Sequence, residues 1–404
     1  MTPSQLPATR AAGLDRLSAF VPSAGRIYAA GRNDDPGPGQ PSAVSGLSPY
    51  VRHRLLTEAE LVEAALREHD ADAAAFIQEV FWRSYWKGWL ELRPAVWTQY
   101  RIQAAQAWDD LAQDAALRRR AEAAMEGRTG IDCFDAWAGE LRQTGTLHNH
   151  ARMWFASIWC FTLKLPWVLG ADFFLLHLLD GDPASNTLSW RWVLGSQTKG
   201  KHYVARAANI ARFTGGRFDP AGALDEDPAP VVETDPPPPT TLPPTPPPPA
   251  GPVALLLHED DLHAESLDLG LAEPRVVAGF AITNRRSVQG CAGAVTAWSR
   301  EALADGVTRA GAWFGVPTMT LTWHEVTDWA VDSGCRTVLV PWAPVGWTAD
   351  ALAELDITLR ARGLALHRVR RTWDSACWPR ATRGFFAFRK AIPQLIDTLL
   401  SGRT

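Results

Sequence analysis

The stretch from His148 to Trp192 gathers side chains able to bind and orient a small molecule: Asn149 and Arg152, then Asp180 and Asp182 around a glycine, then Asn186, Trp190 and Trp192. One helical turn separates Asn149 from Arg152, so an amide and a guanidinium can face one cavity. Asp180 and Asp182 flank Gly181, where a chain bends and carboxylates can reach a sugar, a diphosphate region or the donors near it. Trp190 and Trp192 differ by two positions and are expected on different sides of a helix. Taken singly, Asp-Gly-Asp is more often a loop than a ligand site, and a Trp in an apolar helix is usually core. It is the joint spacing that carries information.

These groups need a scaffold, and residues 55 to 215 read as helices. The segments TEAELVEAALREHDADAAAFIQEVFWRSYWKGWLEL, DAALRRRAEAAMEG and CFDAWAGELRQTG are rich in Ala, Leu and Glu, with apolar residues at three and four spacing. Thr57 followed by Glu60 marks a capping-box start. Beyond residue 252 the pattern changes. The short runs VALLLHED, RVVAGFAI, TMTLTWHE, TVLVPWAP and LALHRVRR alternate with helical SREALADGVTRAGAWFG and TADALAELDITLRARG. That alternation predicts a parallel, doubly wound sheet. It carries neither GxGxxG nor a P-loop.

Residues 228–252 hold 13 Pro in 25 positions, which excludes helix and sheet ladders and favours extended polyproline II. At ~3.1 Å per residue the tract could reach roughly 75 Å, enough to tether two domains or to wrap across one. A spacer is the expected role, with a ligand for a proline-recognising domain as the lesser alternative. The expected division is a helical domain over 1–220, a Pro-rich linker over 221–251 and an α/β Rossmann-like domain over 252–404.

The formal net charge is −4 over 404 residues. Residues 1–220 carry 24 bases and 23 acids, residues 221–251 five acids and no bases, and residues 252–404 sixteen of each. Such a balance excludes a basic nucleic-acid tail, so any DNA binding must come from a local groove and be salt-sensitive. The five cysteines are scattered, without CxxC, zinc or cluster spacing, and point to a reducing, cytoplasmic compartment. No metal is expected, since His148 and His150 diverge on a helix. The N-terminus lacks a signal-peptide apolar core, and no uncharged apolar run reaches membrane-spanning length, so no membrane role is expected.

The central stretch resembles the flavin-binding core of the photolyase and cryptochrome family, whose members show Asn, Arg, Trp, Asp, Asp, Asn and Trp at the intervals of Asn149, Arg152, Trp167, Asp180, Asp182, Asn186 and Trp190. Upstream, Tyr28, Arg32 and SGLSPY resemble the family's phosphate-binding loop. That likeness implies FAD contacts at Tyr28, Ser45, Leu47 and Ser48. The helix FIQEVFWRSYW is similar to the family's Glu-Leu-x-Trp-Arg helix, which implies a cofactor contact at Arg83 and a flipped dimer facing Glu79 and Trp82. By the same likeness Asn149, Arg152, Asp180 and Asp182 serve FAD, Met153 the substrate pocket, and Arg32 the DNA. Asn186 falls where the family faces flavin N5, with an amide as in photolyases.

Trp190 and Trp167 match the proximal and middle indoles of the family's electron-transfer chain. The distal member is Trp108, with Trp97 or Trp159 as alternatives. Several positions depart from the pattern: Val44 stands for Thr, Arg54 for Gly, Thr146 for Trp and His150 for Arg, and the last two remove a ring and a cation from the dimer's neighbourhood. The order is also reversed, because the family places its α/β domain first. LLLHEDDLH and TRGFFAFRKAIPQLI resemble the start and end of that antenna domain, leaving open an antenna chromophore or a structural cover. The resemblance implies FAD-dependent, light-driven repair of cyclobutane pyrimidine dimers in UV-damaged DNA. The alternative is a cryptochrome-like blue-light photoreceptor with a partner protein and no repair activity.

Overall fold

The computed structural model describes residues 6–197, 201–229, 231 and 235–400. The capping box forms as expected: Thr57 accepts from the Glu60 N–H while the Glu60 carboxylate accepts from the Thr57 N–H, opening helix Glu58–His69. The long helical run then breaks at Asp70, whose φ of 46° ends the turn, and resumes as helix Ala74–Glu91. Helices Pro94–Gln113, Ala115–Glu126, Asp132–Thr144, Asn149–Ser157, Trp167–His177 and Pro183–Leu194 follow. A single π turn, Ile158–Thr162, extends Asn149–Ser157. At Gly170 any Cβ would collide with the rings of Trp190 and Trp159, so glycine lets helix Trp167–His177 lie against them.

The five expected strands form: β1 Gly251–His258, β2 Ala272–Phe280, β3 Thr318–Leu321, β4 Thr337–Pro341 and β5 Ala365–Val369. All pair in parallel, in the order β3-β2-β1-β4-β5. Val253–Leu257 of β1 are fully buried, as a strand covered on both faces requires. Helix Gly293–Phe314 joins β2 to β3, and Trp347–Ala361 joins β4 to β5. Among the described residues no helix is long and apolar enough to cross a membrane.

One continuous apolar core runs through the helical and α/β parts. Charge crosses the same boundary. Arg54 pairs with Glu58 of its own part and with Asp261 (3.1 Å) and Asp374 (2.6 Å) of the other, and all four side chains are buried. Arg54 holds φ at 48°, a left-handed conformation that favours glycine and strains an L side chain, so keeping an arginine there has a backbone cost. The Pro tract wraps rather than hangs free: Thr240 N–H donates to the Leu92 carbonyl (2.8 Å), Arg93 to that of Pro237 (3.1 Å) and Arg370 to that of Pro243 (3.0 Å).

Candidate functional site

A cavity of about 510 Å³ opens between helices Ala74–Glu91, Asn149–Ser157, Trp167–His177 and Pro183–Leu194. Most of the expected site residues meet in its wall. Glu79, Trp82 and Arg83 come from the first helix, Asn149, Arg152 and Met153 from the second, and Asn186 and Trp190 from the last, with Ser48, Asp180 and Asp182 from loops or helix starts. Trp190 and Trp192 both line it although their spacing puts them on different sides of the helix. Trp190 is buried, whereas the half-buried Trp192 stacks on Tyr203 at 5.6 Å, so a wide cavity reaches both flanks of one helix.

The Asp-Gly-Asp turn is held by cations. Arg152 donates through one nitrogen to both oxygens of Asp180 at 3.0 Å. Asp182 caps helix Pro183–Leu194 by accepting from the Ser185 N–H, with Arg83 at 3.5 Å and Lys87 at 3.7 Å. Burial would raise both carboxyls. The charge of Arg152 and the Ser48 hydroxyl outweigh it at Asp180, and Lys87, Arg83 and Arg52 outweigh it at Asp182, so both titrate below the ordinary carboxylate range. Asn186 spends its amide N–H on the Ala171 carbonyl (2.8 Å), which fixes the carboxamide in the wall. Glu79 pairs with Arg32 at 2.9 Å, and burial nevertheless raises its carboxyl.

Tyr28, Arg32, Ser45, Leu47 and Trp167 stand outside this wall. Tyr28 is buried edge-on to Phe20 and Phe76, Leu47 is core, and Ser45 accepts from Leu47 N–H and, through its carbonyl, from Arg16. They shape the loop leading into the short helix Ser48–Arg52 and bring Ser48 to the cavity. Of the indoles, Trp159 lies edge-on to Trp190 at 6.4 Å, and Trp167 contacts Tyr100 at 5.7 Å, which in turn contacts Trp97. Trp108 is half-buried and donates to Asp172 (2.8 Å), while Trp97 and Trp159 are buried.

Four contributors were not read from the sequence. Lys87 is buried, and burial lowers its ammonium to about 8. Arg52 donates to the Gly181 carbonyl at 2.8 Å and pairs with Asp260. Arg286, from the α/β part, donates to the carbonyls of Leu178 (2.6 Å) and Gly181 (3.2 Å) and lies over the Trp347 ring. A Cβ at position 181 would meet the Arg286 guanidinium, so the glycine of the Asp-Gly-Asp turn leaves room for that approach. Phe386, also from the α/β part, reaches the cavity from residues far along the chain. Replacing Arg286 by Met removes a charged donor from two carbonyls and is expected to lower stability by about 1.5–3 kcal/mol. Flavin retained after gel filtration, with the urea midpoint, measures the effect.

Residues 76–226 match the family model described as the FAD binding domain of DNA photolyase. A deoxyribodipyrimidine photo-lyase of Streptomyces griseus is 35% identical over 181 residues, covering 45% of this chain and 38% of that protein. One from Thermus thermophilus is 35% identical over 217 residues, covering 52% and 48%. The chain thus spans less than half the length of these relatives. A bacterial class III photolyase structure from Agrobacterium tumefaciens aligns with a TM-score of 0.42 at 28% identity, covering 51% of this chain and 43% of that one. The cavity suits FAD: Phe174, Leu178 and Val193 give an apolar wall that would fit a flat ring, Arg83, Arg152 and Ser48 could donate to phosphates, and Trp190 Nε1 is buried without a hydrogen-bond partner. The helical part of this chain is thus similar to the FAD-binding domain of DNA photolyases, and its cavity is the one that matches that domain's cofactor site.

Proposed function

We propose that the protein repairs cyclobutane pyrimidine dimers in UV-damaged DNA by light-driven electron transfer. The observation that carries this reading is that Glu79, Trp82 and Met153 line the same cavity as Arg152, Asp180, Asp182 and Asn186. Ser48, Arg83, Asn149, Arg152 and the Asp180–Asp182 turn would hold FAD, whose reduced, light-excited form would supply an electron for opening a cyclobutane ring and accept it again afterwards. Every other part of the task falls to side chains. Trp82 offers a ring to a flipped dimer, and Phe385 stacks on its other side at 3.5 Å and 10°, fixing the indole plane. Glu79, steered by Arg32, offers an acceptor to a base edge. Met153 fills the remaining apolar contact, and the Asn186 carboxamide presents a fixed amide to the cavity.

Trp190 and Trp167 act as the inner members of the indole route that keeps the cofactor reduced. Trp108, the partly exposed candidate, serves as its outer end. The helical domain, the Pro-rich linker and the α/β domain divide these tasks as 1–220, 221–251 and 252–404.

Fully reduced protein, illuminated with an oligonucleotide bearing one thymine dimer, is expected to restore the thymines in the light and not in the dark. Trp82→Ala is expected to weaken dimer binding by roughly ten-fold, the size of one lost base stack. Photoreduction of the flavin with no dimer loss would instead establish the light-sensor alternative.

A further inference from the structure

The mouth of the cavity is not built by the helical domain alone. Helix Phe385–Arg389, from the far end of the chain, packs on helix Ala74–Glu91, and its consecutive phenylalanines divide two roles. Phe385 is buried against Trp82. Phe386 lines the cavity and yet is 74% exposed, the largest exposure of any phenylalanine among the exposed apolar side chains of the described residues. A ring left in water beside a substrate pocket gains nothing for folding. Its setting is also cationic. Between Asp374 and Asp397 the sequence has four bases, Arg380, Arg383, Arg389 and Lys390, and no acid, and all four are exposed. Arg389 lies over the Phe386 ring at 5.5 Å and donates to Gln78 at 3.5 Å, beside Glu79 on the pocket helix. The Tyr85 hydroxyl donates to the Arg383 carbonyl at 2.9 Å, anchoring the same segment.

We propose that residues 380–390 form an aromatic and basic lip that grips the damaged DNA strand, with Phe386 stacking on the nucleobase next to the lesion and Arg383, Arg389 and Lys390 meeting the flanking phosphates. Exposed ring and exposed cations side by side are the chemistry of a single-strand platform, because every base has a π face and every phosphate a charge. The lip adds a local cluster of positive charge to a chain whose helical part is near-neutral overall. It also gives the α/β domain a part in substrate binding. The proposal rests on the repair reading of the cavity and adds the strand outside the flipped dimer.

The test uses flavin-loaded protein in the dark and fluorescein-labelled single-stranded oligonucleotides, one with a thymine dimer and one undamaged, followed by anisotropy. Wild-type protein is expected to prefer the dimer-bearing strand. Phe386→Ala is expected to weaken that binding by roughly ten-fold, with binding normalised to flavin content, and Phe386→Trp to restore it. Arg383→Ala with Arg389→Ala is expected to flatten the salt dependence of binding by about two phosphate contacts. Dimer preference in the wild type with unchanged affinity and salt slope in these variants overturns the lip and leaves the repair reading standing. Absence of dimer preference in the wild type overturns both.

Discussion

Arg54→Met is expected to destabilise the protein by about 3–5 kcal/mol, because it strips the counter-charge from carboxylates that remain buried. Glu58, Asp261 and Asp374 lie around the guanidinium with side-chain exposures of 1–2%, so water cannot take its place. Burial disfavours the arginine charge, but Asp374, Glu58 and Asp261 more than compensate and hold it cationic. Asp261 keeps an independent partner in Arg371 at 2.6 Å, and Glu58 a more distant one in Arg83 at 3.7 Å. Arg54→Gly separates the two contributions at this position. It removes the same pairs but relaxes the left-handed backbone, which is worth roughly 1–2 kcal/mol. Urea midpoints should therefore rank wild type above glycine and glycine above methionine. A glycine variant as stable as wild type would limit the net contribution of the bridge to the roughly 1–2 kcal/mol of backbone strain that glycine relieves.

The bridge has a consequence for the sheet. In the order β3-β2-β1-β4-β5 the chain reverses direction of travel between β1 and β4, the place where such folds usually take a ligand beyond the strand ends. Here the residues that follow β1 meet the helical part: the Glu259 backbone carbonyl accepts from the His53 ring at 2.6 Å, Asp260 pairs with Arg52 and Asp261 with Arg54. Side chains of residues 52–54 thus enter the customary crevice. The carboxylate run after β1, which in the sequence resembles the start of an antenna domain, serves as a docking surface for residues 52–54.

Local periodicity made the elements legible. The apolar runs became strands, the Thr57 and Glu60 pair became a cap, and Asn149 with Arg152 and Glu79 with Trp82 met in one cavity because each pair is a single turn apart. Groups that act from far along the chain were not legible. Arg286 reaches the Leu178 carbonyl across 108 positions, and Phe386 reaches the Trp82 helix across some three hundred; no local pattern encodes either contact. Lys87 looks like a solvated lysine in an amphipathic run until the chain folds over it. The Pro tract shows a related limit: its composition fixes an extended backbone, but the carbonyls it offers to Arg93 and Arg370 depend on what it lies against.

Asp182→Asn is expected to remove flavin from the purified protein and to lower stability by about 3–5 kcal/mol, since it leaves buried cations without their shared anion. The side chain is nearly isosteric and can still cap helix Pro183–Leu194 through its amide oxygen, so the change isolates charge from shape. Arg83 and Lys87, facing the carboxylate from helix Ala74–Glu91, and Arg52 behind the turn then repel one another in a site that also has to place phosphate-binding donors. Acid should reproduce the substitution. The folded-state carboxyls of Asp180 and Asp182 titrate below their unfolded values, so their stabilisation is complete above about pH 4 and is lost as pH falls. Flavin release followed by fluorescence should rise on acidification in the wild type and shift less with pH in Asp182→Asn, because that variant has already lost one of the two groups. Equal pH profiles for the two proteins would place the acid-sensitive contact elsewhere, and full flavin retention in Asp182→Asn would show that the turn holds its shape through Arg52 and Arg286 alone.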